Sequence, residues 1–464
     1  MGIGRLFDIS VRSMSAYQSA IGVSSQNISN ANNADYTRQK VLLASEATQA
    51  GQGMGVKIQD VVRIRDSMLD TQILKYQSTL SDAEKRSTIL QQIESIVAEP
   101  SENGLAEYMT AFFSSWDQLS TNPNSVQLRL NIIQKAQNLS ERFKENIAGF
   151  SDVQAVLQRD AAIKIDSINS QLKELNSISE RIYESESRKV NSNDLKDQRD
   201  AMIAKLSELA NVSVSTNDKG IVLINIGGVY GADQSGANEF ELKIINGQMR
   251  MVSKNDSNAI AFLNGGELSA IADLYSNKIP SYKTNLENVA NAFVNKVNEL
   301  HQSGNTLVQG GVSSTNIPFF GELDADGKVV NAFIDGEIKI NSSILNNSKN
   351  IAASDTAGND GNGTIANKIA RLLDAKIPEL NNQTLLEGYI DSLNVLGSDK
   401  VFSDNKIESS GSVLEQLKNQ KTSYSGVSMD EEMTNVLKYQ RSYDAAAKMI
   451  KIADEMIQTI LQLV

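Results

Sequence analysis

Residues 3–28 read IGRLFDISVRSMSAYQSAIGVSSQNI. Apolar or small side chains fall at Ile3, Phe7, Ser10, Met14, Tyr17, Ile21, Ser24 and Ile28, in alternating steps of four and three. That spacing is the heptad seam of a helix built to pack on another helix. Ser10, Ser13, Ala20 and Ser24 keep parts of it slim and allow close approach. The last 36 residues repeat the pattern through Met433, Val436, Gln440, Tyr443, Ala447, Ile450, Ile457, Leu461 and Val464, flanked by Leu437, Met449, Ala453 and Ile460. Gln440 and Asp454 interrupt this second stripe, to restrict its register or to face a polar lumen. Amphipathic helices at both ends predict that the termini meet in one bundle, with the middle of the chain looped out from it.

The middle supplies more helix and then a change of period. A helix is predicted between Leu80 and Pro100, where the proline stops it. Another carries Leu105, Met109, Phe112, Phe113, Trp116 and Leu119 and closes at Asn122-Pro123; these side chains read as helical core. Val126 to about Arg181 reads as one or two long helices, with Val153, Leu157, Ile165, Ile168, Leu172, Leu175 and Ile182 on one stripe, and a further helix covers roughly Leu195 to Leu209. VSVS at 212–215, GIVLINIGG at 220–228, FELKIING and QMRMV then have the composition of short strands, and Asn246-Gly247 is a hairpin signal. Helix resumes from Gly266 to about Leu300, kinked near Pro280. Residues 303–364, rich in Gly, Asn and Ser with short strands such as GKVV and EIKI, read as an exposed, variable module.

The expected fold class is mainly α, a long coiled-coil-like helical bundle of the N- and C-terminal parts with β-containing insertions from the middle. The expected partition is 1–35 with 428–464 as a terminal helical domain, and 36–210 with 260–305 and 400–427 as a helical core domain. Residues 211–259 would form a small β insertion and 306–399 a variable outer module.

With 464 residues the chain can bury a sizeable core, and 40% apolar against 22% charged residues is ordinary globular usage. A formal charge of −12 repels phosphate backbones and anionic lipid, so neither nucleic acid nor membrane insertion is expected as a partner. No apolar run is long enough for a bilayer, no secretory leader is evident, and Leu6 stands where myristoylation favours Ser or Thr. By composition alone the chain reads as cytoplasmic. The absence of cysteine excludes disulfides and thiolate metal sites.

A search for chemistry finds little. His301, the single histidine, stands at a predicted helix end, where the dipole favours it, and has no ligand cluster around it. GGVYG at 227–231 lacks the elements of a phosphate loop or dinucleotide fingerprint and reads as a turn. DADGK at 324–328 resembles a calcium loop only superficially, because its glycine comes too early and Asp335 stands at the twelfth position, where glutamate belongs. The acidic MDEEM at 429–433 fits the first turn of a helix. The sequons at Asn138 and Asn211 are what so Asn- and Ser-rich a chain produces by chance. No catalytic, cofactor-binding or metal-binding residues are assigned.

SQNISNANNADYTRQKV at 25–41 is similar to the Asn-rich segment that follows the first terminal helix of bacterial flagellar axial proteins. Gly104, Leu105, Phe112, Phe113, Trp116 and Leu119 follow a more specific pattern, joined in order by NDLKDQRDAMIAKLSELANVSVS at 193–215, GGELSAIADL at 265–274, VNELHQSG at 297–304 and DEEMTNVLKYQRSYDAAAKMIKIADEM at 430–456. Together these resemble the flagellar hook-associated protein 1 (FlgK) family of the bacterial hook-filament junction, over most of the chain outside about 305–400. The resemblance implies a structural, non-enzymatic protein: a ring of identical subunits that adapts a bending hook to a rigid filament. Its implied partners are further copies of itself, the flagellar hook protein, the second junction protein FlgL and, before secretion, the export chaperone FlgN on the C-terminal helix. It also implies type III export without a cleaved signal peptide, which replaces the cytoplasmic reading with an extracellular one and suits a chain without cysteine. Rival readings are a hook or rod protein, a flagellin-like protein, and a soluble helical enzyme.

An isolated helix of about 25 residues must bury its stripe to stay formed, and each buried Ile, Leu, Met or Phe is worth roughly 1.5–3 kcal/mol. The terminal helices are therefore expected to order on assembly, against neighbouring subunits. The expected assembly interface comprises Ile3, Phe7, Met14, Tyr17, Ile21 and Ile28, then Met433, Val436, Leu437, Tyr443, Ala447, Ile450, Ile457 and Leu461. Asn27, Asn30, Asn32 and Asn33 form a candidate joint whose amides bond across subunits or within one, with Tyr36, Thr37 and Arg38 anchoring the exit to the next domain.

Overall fold

The computed structural model describes residues 2–47, 53–97, 99, 101, 104–217 and 221–463. Pro100 and Val464, read above as a helix stop and as the end of the second seam, lie outside them. The chain opens with α1 (Ile3–Ser29) and then forms a hairpin of β1 (Gln39–Ala47) and β2 (Gly53–Arg63). The sequence reading left this hairpin unassigned. Its pairing skips Gln59 between Leu42↔Asp60 and Leu43↔Ile58, and such a bulge breaks the alternation by which a strand is recognised.

α2 (Ser67–Val97) starts well before Leu80, because the Asp66 carboxylate accepts from Met68 N at 2.9 Å and Leu69 N at 3.2 Å and caps the helix there. α3 (Leu105–Thr121) and α5 (Asn193–Leu209) fall as expected, and α4 (Val126–Ser187) is one unbroken helix. β3 (Val212–Thr216), β4 (Val222–Ile226) and β5 (Val229–Ala232) make an antiparallel sheet, and β6 (Phe240–Ile245) pairs with β7 (Gln248–Ser253). Asn246 and Gly247 take φ of 51° and 75°, the two left-handed residues of a tight hairpin turn. These strands are no separate body. Ile224, Ile226, Ala232, Phe240, Met249 and Met251 enter the same core as α4.

α6 (Glu267–Asp273) leads through a π turn, Leu274–Lys278, into α7 (Ile279–Gln302), with Pro280 in the first turn of α7. Near Pro280, where a kink is expected, the helix takes this π turn. Four two-residue strands follow: β8 (Glu322–Leu323) pairs with β9 (Val329–Val330), and β10 (Phe333–Ile334) with β11 (Glu337–Ile338). α8 (Ser342–Asn346) and α9 (Thr364–Ala370) precede α10 (Leu385–Ser425) and α11 (Met429–Leu463).

Two expectations about the later part change. Residues 303–364 do not stand apart as an exposed module, because Phe319, Phe320, Ile338, Ile344, Ile351 and Ala353 lie in the main core. The boundary drawn at 399/400 falls inside α10, which begins at a capping box of Thr384 and Glu387. At the centre of the core, Phe112, Phe113 and Trp116 of α3 meet Phe293 of α7 together with Phe319 and Phe320, mostly edge to face. Leu105 and Leu119 are fully buried beside them.

Candidate functional site

The two ends of the chain pair with each other. Tyr17 stacks on Tyr439, with ring centroids 6.5 Å apart, while Arg38, beyond the end of α1, reaches the start of α11. α1 and α11 therefore run antiparallel. The termini thus meet in one pair, as their matching stripes predict, and each helix has an intrachain partner in addition to whatever neighbouring subunits would cover. The line that this contact buries is not the large-residue seam. Ser10, Ser13, Ala16, Ala20, Ser24 and Asn27 are the buried residues of α1, and Ala446 and Ala453 are those of the middle of α11. Gly55 of β2 presses on the same line with φ +93°, and a Cβ there would stand 3.2 Å from Ile9 and Ser13.

The large side chains are displaced outward. Ile3, Met14, Tyr17, Ile21 and Ile28 are half-buried, as are Val436, Tyr443, Ala447 and Ile450. Phe7, Val11, Met433, Leu437, Met449, Ile452, Met456, Ile457, Ile460 and Leu461 are exposed, from 39% at Ile457 to 71% at Leu461. From Asp454 to Gln462 every residue of α11 is exposed.

Where this pair meets the body, the Asn-rich segment folds into a clasp. Asn27 is fully buried; its Nδ2 donates to Gln39 O at 2.8 Å, and its Oδ1 accepts from Gln39 N at 3.0 Å and from Tyr36 Oη at 2.8 Å. Those bonds are made within one chain, so Asn27 is not free to reach a neighbour. Asn30 Nδ2 donates to Gln26 O at 3.0 Å and Asn33 Oδ1 accepts from Asp35 N at 3.1 Å, while Asn32 is exposed. Arg38 ties the chain ahead of β1 to both α10 and α11: its N–H donates to Ser425 O at 3.3 Å, its Nε to buried Glu432 at 2.7 Å, and its Nη1 to Glu431 at 2.8 Å. The acidic first turn of α11 is thus more than a dipole feature.

The partners that sequence reasoning missed are on α5. Asp194, Asp197 and Asp200 recur every three residues along its first turns. Thr37 N donates to Asp197, and Gln39 Nε2 to Asp194, both at 3.1 Å. Arg63 Nη1 meets Asp197 at 2.7 Å and Asp200 at 2.9 Å, Arg65 meets Asp200 at 2.9 Å, and Asn193 Nδ2 donates to Val61 O at 2.8 Å. Three carboxylates in that spacing within NDLKDQRD were the available signal. Burial would raise Asp200, but the guanidinium groups of Arg199, Arg63 and Arg65 hold it below the usual carboxylate range. Burial, and then the charges of Asp194, Asp197 and Glu432, raise the Tyr36 hydroxyl well above its ordinary value. A groove of about 540 Å³ opens beside Arg38, between Val23, Lys40, Glu431 and Tyr439.

The other sequence features resolve as structure. Gly227 and Gly228 form the turn between β4 and β5 with φ of 57° and 82°, and Asp324 Oδ1 accepts from Asp326 N and Lys328 N in a plain turn. His301 stands in the last turn of α7, where a helix end is expected, and its side chain is fully buried in the core. Among the described residues, no three His, Cys, Asp or Glu side chains form a group able to hold a metal, and no helix is long and apolar enough to cross a membrane.

Comparison with known proteins fits this arrangement. Residues 90–320 match the family model of the flagellar hook-associated protein FlgK helical domain, and residues 419–463 match that of the flagellar basal body rod FlgEFG protein C-terminal region. The chain is 28% identical to flagellar hook-associated protein 1 of Bacillus subtilis over 97% of its own length and 96% of that protein's. It is 22% identical to the Escherichia coli K12 protein of the same name, and 24% to the Salmonella typhimurium one, over 99% of each chain. A solved structure described as the flagellar hook junction protein FlgK from Burkholderia pseudomallei shares the fold, with a TM-score of 0.62 at 14% identity, covering 76% of this chain and all of that one.

Proposed function

Because the chain belongs to the flagellar hook-associated protein 1 family, whose members are structural components of the flagellum, we propose that it forms the adaptor ring between hook and filament. The observation that carries this reading is the terminal pair. Its internal contact is made by serines and alanines, while its methionines, leucines and isoleucines face outward. Eight such side chains are exposed along α11 from Met433 onward, joined by Phe7 and Val11 of α1, which is more than the singly scattered hydrophobics that need no explanation. Small residues inside and large ones outside suit a pair that is itself a building block, one that buries its outer face against further copies. The hook protein would lie on one side of the ring and the second junction protein, FlgL, on the other.

The same face suits transport. Before export, the chaperone FlgN would cover the exposed side of α11 as one helix lies on another. The chain would then leave the cell through the type III route without a cleaved leader. We also propose the working division into a terminal part, 1–35 with 428–464, and a body built from the rest.

Leu437→Glu with Ile460→Glu places charge on the outer face without touching the seam. Incubated with hook fragments and viewed by electron microscopy, the wild-type chain is expected to add to hook ends, and the variant to remain monomeric with an unchanged circular dichroism spectrum. Addition by the variant at wild-type level would remove the outer face from the reading. FlgN is expected to bind the full chain and not one ending at residue 425.

A further inference from the structure

His301 is the only histidine of the chain and ends α7 fully buried. Its ring lies edge-on to Trp116 at 6.0 Å and to Phe319 at 5.4 Å. Nδ1 stands 2.7 Å from Ile317 O, and Ala352 N donates to Nε2 at 2.8 Å. A carbonyl oxygen only accepts and an amide N–H only donates. The ring must therefore be neutral, with its proton on Nδ1.

The other end of the same peptide group is held as well. Ile351 O accepts from Arg129 Nη1, and Arg129, buried on α4, also donates from Nη2 to Pro123 O at 2.7 Å. One peptide unit of the 303–364 segment is thus gripped at its N–H by α7 and at its C=O by α4. Next to it, Ala353 O accepts from Ile365 N at 3.0 Å, which ties the start of α9 to the grip. The charges that face this point are Arg129 and, acting on Arg129, Asp360, whose Oδ1 accepts from Val308 N at 3.0 Å. α3 contributes Trp116, and the segment before β8 contributes Phe319, neither of them titratable.

We propose that His301 is an acid-sensitive latch: neutral, it fastens the Ile351–Ala352 peptide to the helical body, and protonated it lets that peptide and the start of α9 go. A proton on Nε2 sets N–H against N–H and puts a second cation beside Arg129. Burial, opposed by the bond to Ile317 and reinforced by Arg129, pushes the imidazole down to about 4. A released imidazole returns to an ordinary value of about 6.5, so the open form takes up the proton first and acid favours opening. The rest of the segment stays packed, because Phe320 is held independently: Asn298 Nδ2 donates to Phe320 O at 2.9 Å and its Oδ1 accepts from Phe320 N at 2.8 Å.

In the full chain labelled with ¹⁵N-histidine, the single imidazole is expected as the Nδ1–H tautomer at pH 7. Hydrogen exchange at Ala352, corrected for its intrinsic pH dependence, is expected to speed up about 25-fold between pH 7 and pH 5 from those two values. His301→Gln cannot titrate and is expected to remove the acceleration; if that variant does not fold, the wild-type tautomer and exchange decide alone. An Nε2–H tautomer, or corrected exchange at Ala352 that is flat over this range in the wild type, overturns the latch.

Discussion

At the scale of single residues, one device recurs. Asn27, Asn169 and Asn298 are buried on helices, and each grips the N–H and C=O of one incoming residue, Gln39, Phe240 and Phe320 respectively. The amide imitates a strand partner for a single residue and so fixes where an extended segment leaves the helical body. Removing it strands two buried backbone groups. Asn27→Ala is therefore expected to cost about 2–4 kcal/mol in chemical denaturation, and Asn32→Ala, on the exposed turn, under about 0.5 kcal/mol. The acidic row on α5 adds a pH dependence of known sign. Asp200 is held below its ordinary value in the fold, so it contributes stability above about pH 4 that is lost as pH falls through the folded value. Asp200→Asn is expected to flatten the acid limb of a stability-against-pH curve, and an unchanged limb would show that Asp200 does not couple to folding.

At the scale of elements, the π turn before α7 has a cause that can be tested. In its register the N–H of residue 280 would serve Tyr275 O, but Pro280 has none. Gln154 Nε2 of α4 donates to that carbonyl instead, at 2.9 Å, while Ser276 Oγ accepts from Met249 N of β7, also at 2.9 Å. The turn thereby docks both α4 and the β6–β7 hairpin. Gln154→Leu is expected to cost about 1–3 kcal/mol by leaving Tyr275 O unserved, and less in a Pro280→Ala background, where the restored N–H takes over. A double-mutant cycle with zero coupling would contradict this. Legibility follows the same local logic. Long helices and the Asn246-Gly247 hairpin were readable because period and turn chemistry act over a few residues. The slim positions Ser10, Ser13, Ala20 and Ser24 are legible as sites of close approach and are buried, but helices in close approach select for size, so the large members of the seam, Phe7 and Met14, turn outward from that line. α10 is not assigned before residue 400 from the sequence, although the Thr384 and Glu387 capping pair and the spacing of Leu385, Tyr389 and Leu396 mark its start. The row of acids on α5 is visible in the sequence, but its partners are not, because they come from residues more than a hundred positions away.

At the scale of the molecule, the core and the terminal pair are built from different parts of the chain. The main core draws its residues from Ile89 to Leu396, and the smaller cluster of Leu69, Ile73, Leu414 and Leu417 joins α2 to α10; neither includes a side chain of α1 or α11. The terminal pair is attached through the Asn27 clasp, the Arg38 bridge to Glu431 and Glu432, and the packing of its own slim seam, so its loss removes connections but no core. A chain reduced to residues 31–428 is accordingly expected to fold. Trp116, the only tryptophan, sits in the aromatic centre and reports that core directly. Its fluorescence transition is expected to remain cooperative, with a midpoint within a few degrees of the full chain, while addition to hook ends disappears. Restoring α1 alone should not recover assembly, since most of the outer face and the partner of its seam would still be missing. Loss of the cooperative Trp116 transition in the reduced chain would mean that the body depends on its termini, and that folding and assembly are one event rather than two.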